Sequence, residues 1–137
     1  MLPVLVCVDD EMILLKSLEY ELEDFFKGRI EILTAQNPYD AHEIIIETIE
    51  ENKKIFLIIC DHHLGAFDGI EFLMEINFKY PEIQKVLLTG YKSLELEKEL
   101  KNSINLYSAV EKPWSVLEMI EIIEDCLKNF LNNNNNL

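Results

Sequence analysis

Apolar and polar positions along the chain alternate in a repeating unit: a short strand-like run, then a longer stripe with helical spacing. The first run is Val4–Val8, uninterrupted by a polar residue, and Leu15, Leu18, Leu22 and Phe25 follow at intervals of three, four and three. A second strand is predicted over residues 30–34, and a helix starts at Asn37-Pro38 and carries Ala41, Ile44, Ile45 and Ile49. Residues 55–60 form the third strand; Asp68 opens the third helix, whose Ile70, Leu73 and Ile76 face inward before the stop near Pro81. "QKVLLTG" supplies the fourth strand and residues 93–101 a polar fourth helix with Leu96 and Leu100. The fifth strand falls within residues 106–110, and after Lys112-Pro113 the last helix carries Leu117, Ile120, Ile123, Leu127 and Phe130. Residues 1–131 are predicted to be one folded domain, and the Asn-rich tail 132–137 to be disordered because it is too polar to pack.

Strict β–α alternation with short connections implies a parallel sheet covered by helices on both faces, an α/β doubly wound three-layer sandwich. In such sheets ligands collect outside the carboxyl ends of the strands. The residues that end the strands are therefore the ones to inspect. They are Asp9 and Asp10 after the first strand, Asp61 after the third, Thr89 after the fourth and Lys112 after the fifth.

Composition narrows the partners. With 137 residues, 49% hydrophobic and 28% charged, the chain is long enough for one core without staples. A net charge of −14 argues against a nucleic-acid partner and against docking on anionic lipid, since both demand Lys and Arg clusters. Cys7, Cys60 and Cys126 are odd in number, and two lie in apolar runs, which points to a reduced protein. No run reaches the ~18 consecutive apolar residues of a membrane span, and the amino terminus lacks signal-peptide features. The expected location is cytoplasmic, with no membrane contact.

The segment "IFLIICDHHLGAFDG" puts the chemical question most sharply. A greasy strand ends in a carboxylate, Asp61, then come two imidazoles and an Asp-Gly pair. A metal site, a covalent phosphate acceptor and an ordinary loop compete. Carboxylates gathered in one crevice repel unless a cation shares the site, and hard oxygen ligands with room for water suit Mg²⁺. Lys112 is a compact charge for a phosphoryl oxygen, and Thr89 a hydroxyl donor. An aspartate can itself be the nucleophile and become an aspartyl phosphate; Asp61, alone on its strand end, is the candidate. Joint chelation of a transition metal by His62 and His63 is disfavoured, because adjacent side chains on an extended segment point opposite ways.

These pieces in order, "VDDE" (Asp9, Asp10), "IICD" (Asp61) with Asp68-Gly69, "LLTGY" (Thr89) and "EKPW" (Lys112, Pro113), resemble the receiver domain of two-component response regulators over nearly the whole chain. The resemblance implies a (βα)5 flavodoxin-like fold with a five-stranded parallel sheet of order 2-1-3-4-5, an order the chemotaxis regulator CheY already exemplifies. It implies that Asp61 accepts a phosphoryl group from a sensor histidine kinase or phosphotransfer protein. Asp10, Asp61 and the main-chain carbonyl of His63 would hold Mg²⁺, with Asp9 acting through water. Thr89 and Lys112 would bind the phosphoryl oxygens, and Thr89 would shift inward and alter the face made by the fourth helix, fifth strand and fifth helix. His63 and Tyr91 sit at positions that influence how fast the phosphate is lost.

Two positions depart from the family pattern. Gly65 replaces the usual proline four residues after the acceptor, which suggests a more mobile loop. Ala109 replaces the usual aromatic three residues before the lysine, so the aromatic readout is missing. Tyr107, two residues earlier and expected on the same strand face, or Tyr91 beside the threonine, is the candidate substitute. The excess apolar width of the last helix suggests a homodimer through the same face. The alternative to a phosphoacceptor is a phosphorylation-independent interaction module of the same fold. A true Mg²⁺-dependent hydrolase needs a second acid-base carboxylate where His63 stands, so the chain is not expected to be an enzyme beyond its own phosphorylation and dephosphorylation. The kinase, the target and whether the chain works alone or within a longer regulator stay open.

Overall fold

The computed structural model describes residues 1–135. The elements run β1 (Val4–Val8), α1 (Met12–Phe25), β2 (Glu31–Ala35), α2 (Pro38–Glu50), β3 (Ile55–Asp61), the two-residue strands β4 (His63–Leu64) and β5 (Phe67–Asp68), α3 (Gly69–Lys79), β6 (Gln84–Thr89), α4 (Leu94–Ile104), β7 (Leu106–Glu111) and α5 (Val116–Asn135). The main sheet has order β2-β1-β3-β6-β7 with every pairing parallel. With β6 and β7 counted as the fourth and fifth major strands, this is the expected 2-1-3-4-5. The β4–β5 pair is a small antiparallel hairpin that carries the chain from Asp61 into α3, and nothing in the apolar pattern announces it.

The apolar alternation is resolved into two cores. Val4, Val6, Val8, Ile58, Cys60 and Leu87 face α2, α3 and α4, meeting Ile45, Leu73, Ile76 and Leu100. Leu5, Cys7, Leu57, Ile59, Val86 and Leu88 face α1 and α5, meeting Leu18, Leu22, Met119 and Ile123. Strand β3, central in the sheet, is buried at all seven positions, whereas the edge strand β2 is half-buried over its first four. This explains why β3 reads as an unbroken greasy run: both of its faces need covering.

Side chains cap the helices where the sequence predicts starts. Asn37, Asp68 and Ser93 accept hydrogen bonds from the amides of Asp40, Ile70 and Leu96, satisfying first-turn N–H groups. Helix α4 runs three residues past its predicted end and stops at Asn105, which adopts the left-handed conformation (φ 55°). Helix α5 continues through Asn135, beyond the predicted boundary at residue 131. Within this last turn the Asn134 side chain donates to the Phe130 carbonyl at 2.7 Å and accepts from Lys54 Nζ at 2.9 Å. The asparagine run is therefore helical as far as Asn135, and Asn134 finds partners that polarity alone does not reveal; residues 136–137 of the predicted tail lie outside the described residues.

Strand β7 departs from regular alternation. Lys85 pairs with Leu106 but Val86 pairs with Ser108, so one extra residue, Tyr107, is accommodated opposite β6. The irregularity reverses the facing of the strand's first half. Leu106 and Ala109 belong to the core under α2, α3 and α4, while Tyr107 packs with α5 and donates to Asp125 Oδ2 at 3.3 Å. The expectation that Tyr107 and Ala109 share a face is thus not met, and the bulge is the reason.

Candidate functional site

The carboxyl ends of β1, β3, β6 and β7 converge as the fold requires. Asp9 follows β1; its amide donates to the Ala35 carbonyl, and its Oδ1 accepts from the Glu11 amide at 2.9 Å. That last bond serves the start of α1, which has no side-chain cap of its own. Asp61 is the final residue of β3 and is 5% exposed, while Asp10 stands open to solvent. One carboxylate oxygen from each of Asp9, Asp10 and Asp61 lies within 4.8 Å of the others.

Lys112, just after β7 on the same carboxyl edge of the sheet, sets its positive charge against this cluster. Its Nζ lies 2.8 Å from Asp61 Oδ2 and 3.6 Å from Asp9 Oδ2, and its amide donates to the Thr89 carbonyl at 2.8 Å. Burial alone would lower the pKa of the ammonium; the hydrogen bond to Asp61 and the charges of Asp9, Asp61 and Glu11 outweigh it and hold Lys112 above its ordinary value. Asp9 moves the other way from a usual ion-paired carboxylate. Its burial, aided by the neighbouring Asp61 and Asp10, raises its pKa despite the Glu11 hydrogen bond and Lys112. An acidic pocket with one lysine for three carboxylates, all hard oxygen donors and one of them open to water, fits a small divalent cation that keeps part of its hydration.

Gly69 shows why an Asp-Gly pair stands where α3 begins, against the end of β3. A Cβ at this position would sit 1.9 Å from the Asp61 carbonyl oxygen, so α3 approaches the tip of β3 more closely than any side chain allows. Gly65 lies in the turn between β4 and β5 with φ +64°, a left-handed conformation closed to proline, whose ring holds φ near −65°. The departure from the family's proline is thus a different turn geometry.

The remaining predicted residues are spread around the rim. The His63 side chain is exposed, and Tyr91 is 78% exposed. The rings of His62 and His63, expected to diverge, are stacked at 4.3 Å and 10°. His62 lies between β3 and β4 on a bend, where strand alternation no longer applies. Burial and the neighbouring His63 lower the His62 pKa.

Two features escaped the sequence reading. The His62 Nδ1 lies 3.2 Å from Thr89 Oγ1. On the outer edge of β7, the Ala109 amide donates to Glu97 Oε2 of α4 at 2.7 Å, and Lys92 and Lys101 flank that carboxylate at 3.5 and 3.7 Å. Neither spacing is a recognisable motif; the pairing of β3 with β6 brings His62 to Thr89, and the packing of α4 on β7 brings Glu97 to Ala109.

Three clustered carboxylates with a lysine against one of them, at the carboxyl ends of a doubly wound sheet, define a class of protein. The family model described as "Response regulator receiver domain" matches residues 5–124. The chain belongs to that family. It is 25% identical over 121 residues to the hydrogenase transcriptional regulatory protein HoxA of Cupriavidus necator, covering 88% of this chain and 23% of that protein. It is 27% identical over 124 residues to the transcriptional regulatory protein YesN of Bacillus subtilis, covering 90% and 32%. The chain thus spans about a quarter to a third of the length of these curated relatives. Among solved structures, the CheY-like response regulator receiver domain protein of Methanospirillum hungatei JF-1 superposes with TM-score 0.78 at 26% identity, covering 97% of this chain and 99% of that one. The signal receiver domain of an HD domain-containing protein from Pseudomonas fluorescens Pf-5 gives 0.79 at 24% identity, covering 94% and 97%, a likeness of fold.

Proposed function

We propose that this receiver domain is a working phosphoacceptor whose reactive group is Asp61. The observation that carries the reading is the 2.8 Å contact between Lys112 Nζ and Asp61 Oδ2 beside the carboxylates of Asp9 and Asp10. A receiver that had lost its chemistry would have little reason to keep a cation on a carboxylate at that strand tip.

In the proposed reaction an Asp61 oxygen attacks the phosphorus of a phosphohistidine on a sensor kinase or phosphotransfer protein. The O–P bond of an acyl phosphate forms, the P–N bond breaks, and its electron pair stays with the imidazole nitrogen, which takes a proton from solvent. Mg²⁺ held by Asp10, Asp61 and the His63 carbonyl, with Asp9 acting through water, would supply charge for the transferring oxygens. Lys112, already against Asp61, binds one phosphoryl oxygen, and Thr89 donates its hydroxyl to another. Thr89 thereby couples the pocket to the face of α4, β7 and α5, through which a partner or second copy docks. The domain acts in the cytoplasm, and transcriptional control, the role named for HoxA and YesN, is the output proposed for it. Among the described residues no helix is long and apolar enough to cross a membrane.

The second reading, an interaction module indifferent to phosphate, draws on Ala109, buried where the family carries an aromatic. One experiment separates them. With Mg²⁺ and acetyl phosphate, intact-mass spectra of the wild type should gain one PO₃ unit, and Asp61→Ala should not. Identical spectra hand the protein to the second reading.

A further inference from the structure

The Thr89 hydroxyl has one proton and three neighbours. Oγ1 donates to the Tyr91 carbonyl at 3.2 Å, accepts from the Tyr91 amide at 3.3 Å and lies 3.2 Å from His62 Nδ1. All three are on the rim. To serve a phosphoryl group on Asp61, the hydroxyl has to leave this set.

His62 is held in place for this contact. Its amide donates to the Leu88 carbonyl at 2.7 Å, one residue before Thr89, and its carbonyl accepts from the Gly69 amide at 2.7 Å. The imidazole is backed by the His63 ring at 4.3 Å. The two backbone bonds and the stack restrict how far the imidazole can travel with Thr89 when the hydroxyl departs. The bond is therefore made at rest and broken on engagement.

We infer that His62 is a positioning residue that retains Thr89 in its resting place and so sets the threshold for phosphoryl engagement at Asp61. The inference rests on the phosphoacceptor reading and adds a residue that this reading does not contain. A contact present only at rest opposes the shift by its own free energy, because an equilibrium moves only by the difference between its two states.

Two substitutions separate the ring from the bond. His62→Phe keeps an aromatic face for His63 and removes the nitrogen. His62→Asn removes the ring but keeps a hydrogen-bonding atom one bond beyond Cγ, where Nδ1 stands. Beryllofluoride with Mg²⁺ is the phosphoryl mimic, and its half-saturation concentration is read by the change in Trp114 fluorescence or by calorimetry. Loss of one ordinary hydrogen bond predicts that His62→Phe binds about three- to tenfold more tightly than wild type. His62→Asn should stay within about twofold, as expected where the bond is kept. In a Thr89→Val background the His62→Phe effect should disappear, since the hydroxyl it acts through is gone. Should the phenyl ring not be accommodated, His62→Ala removes the same bond and carries the same expectation. Unchanged or weaker binding by His62→Phe and His62→Ala, equal tightening by His62→Asn, or an effect that survives in Thr89→Val overturns the inference. A wild type that never binds the mimic overturns the phosphoacceptor reading instead, and this inference with it.

Discussion

Asp9 pays for its position at the tip of β1. Its carboxylate is almost wholly buried, and burial together with Asp61 and Asp10 lifts its pKa above that of the unfolded chain. A carboxyl group with a raised folded pKa is a stability cost when ionised, and the cost vanishes as pH falls below the unfolded value, near 4. Asp9→Asn keeps an oxygen for the Glu11 amide and removes the charge. In metal-free protein its thermal midpoint at pH 7 should exceed that of wild type, and the two should converge as pH is lowered through the carboxylate range. A variant less stable than wild type at pH 7 would mean that the Lys112 contact outweighs burial. Mg²⁺ should then stabilise wild type more than the variant, because the ligand binds the folded state alone. Stability given up at one residue is what leaves the pocket ready for a cation.

Between elements, the clearest constraint is the bond from the Ala109 amide to Glu97. Strand β7 is an edge, and an edge N–H without a partner invites pairing from outside. Glu97 covers it from α4, held by Lys92 in the preceding loop and Lys101 one turn on. Burial would raise the Glu97 pKa, but the Ala109 hydrogen bond and the two lysines lower it on balance. Its contribution is present above the unfolded carboxylate pKa and lost as pH falls through the lower folded value. Glu97→Ala should cost about 1–2 kcal/mol at pH 7, and less in acid. The Ala109 amide should exchange with solvent markedly faster, and protection equal to wild type would refute the clamp. This contact also marks where sequence reading stops. The five major strands, the five helices and the strand-end residues Asp9, Asp61, Thr89 and Lys112 were legible because burial on both faces writes greasy runs that end in polar residues. The β4–β5 hairpin, the Tyr107 bulge and the His62–Thr89 contact were not. Each depends on a local break in alternation, at His62 and at Tyr107, and a period-two pattern carries no record of its own interruption. The helical end of α5 was missed for another reason: Asn134 is held by the Phe130 carbonyl one turn back and by Lys54, which only packing brings near.

On the scale of the whole molecule, Lys85 is the outlier of the core. It is fully buried in β6, its Nζ donates to the Ile83 carbonyl at 2.6 Å, and burial brings its pKa down to about 8. A lysine depressed in the folded state opposes folding below that value, because the unfolded chain binds the proton more tightly. Lys85→Met should therefore raise stability to denaturant at pH 7, by up to about 3 kcal/mol. The gain should shrink as pH rises from about 8 towards the unfolded lysine value near 10.4. A pH-independent difference would show that packing, and not charge, separates the two proteins. The strand order has a consequence of its own. The three carboxylates stand at the ends of the paired strands β1 and β3, whereas Thr89 and Lys112 follow β6 and β7, so the full set comes together only when β7 is laid against β6. A half-assembled chain in which β7 has not yet docked therefore leaves the buried aspartates without their counter-charge, Lys112.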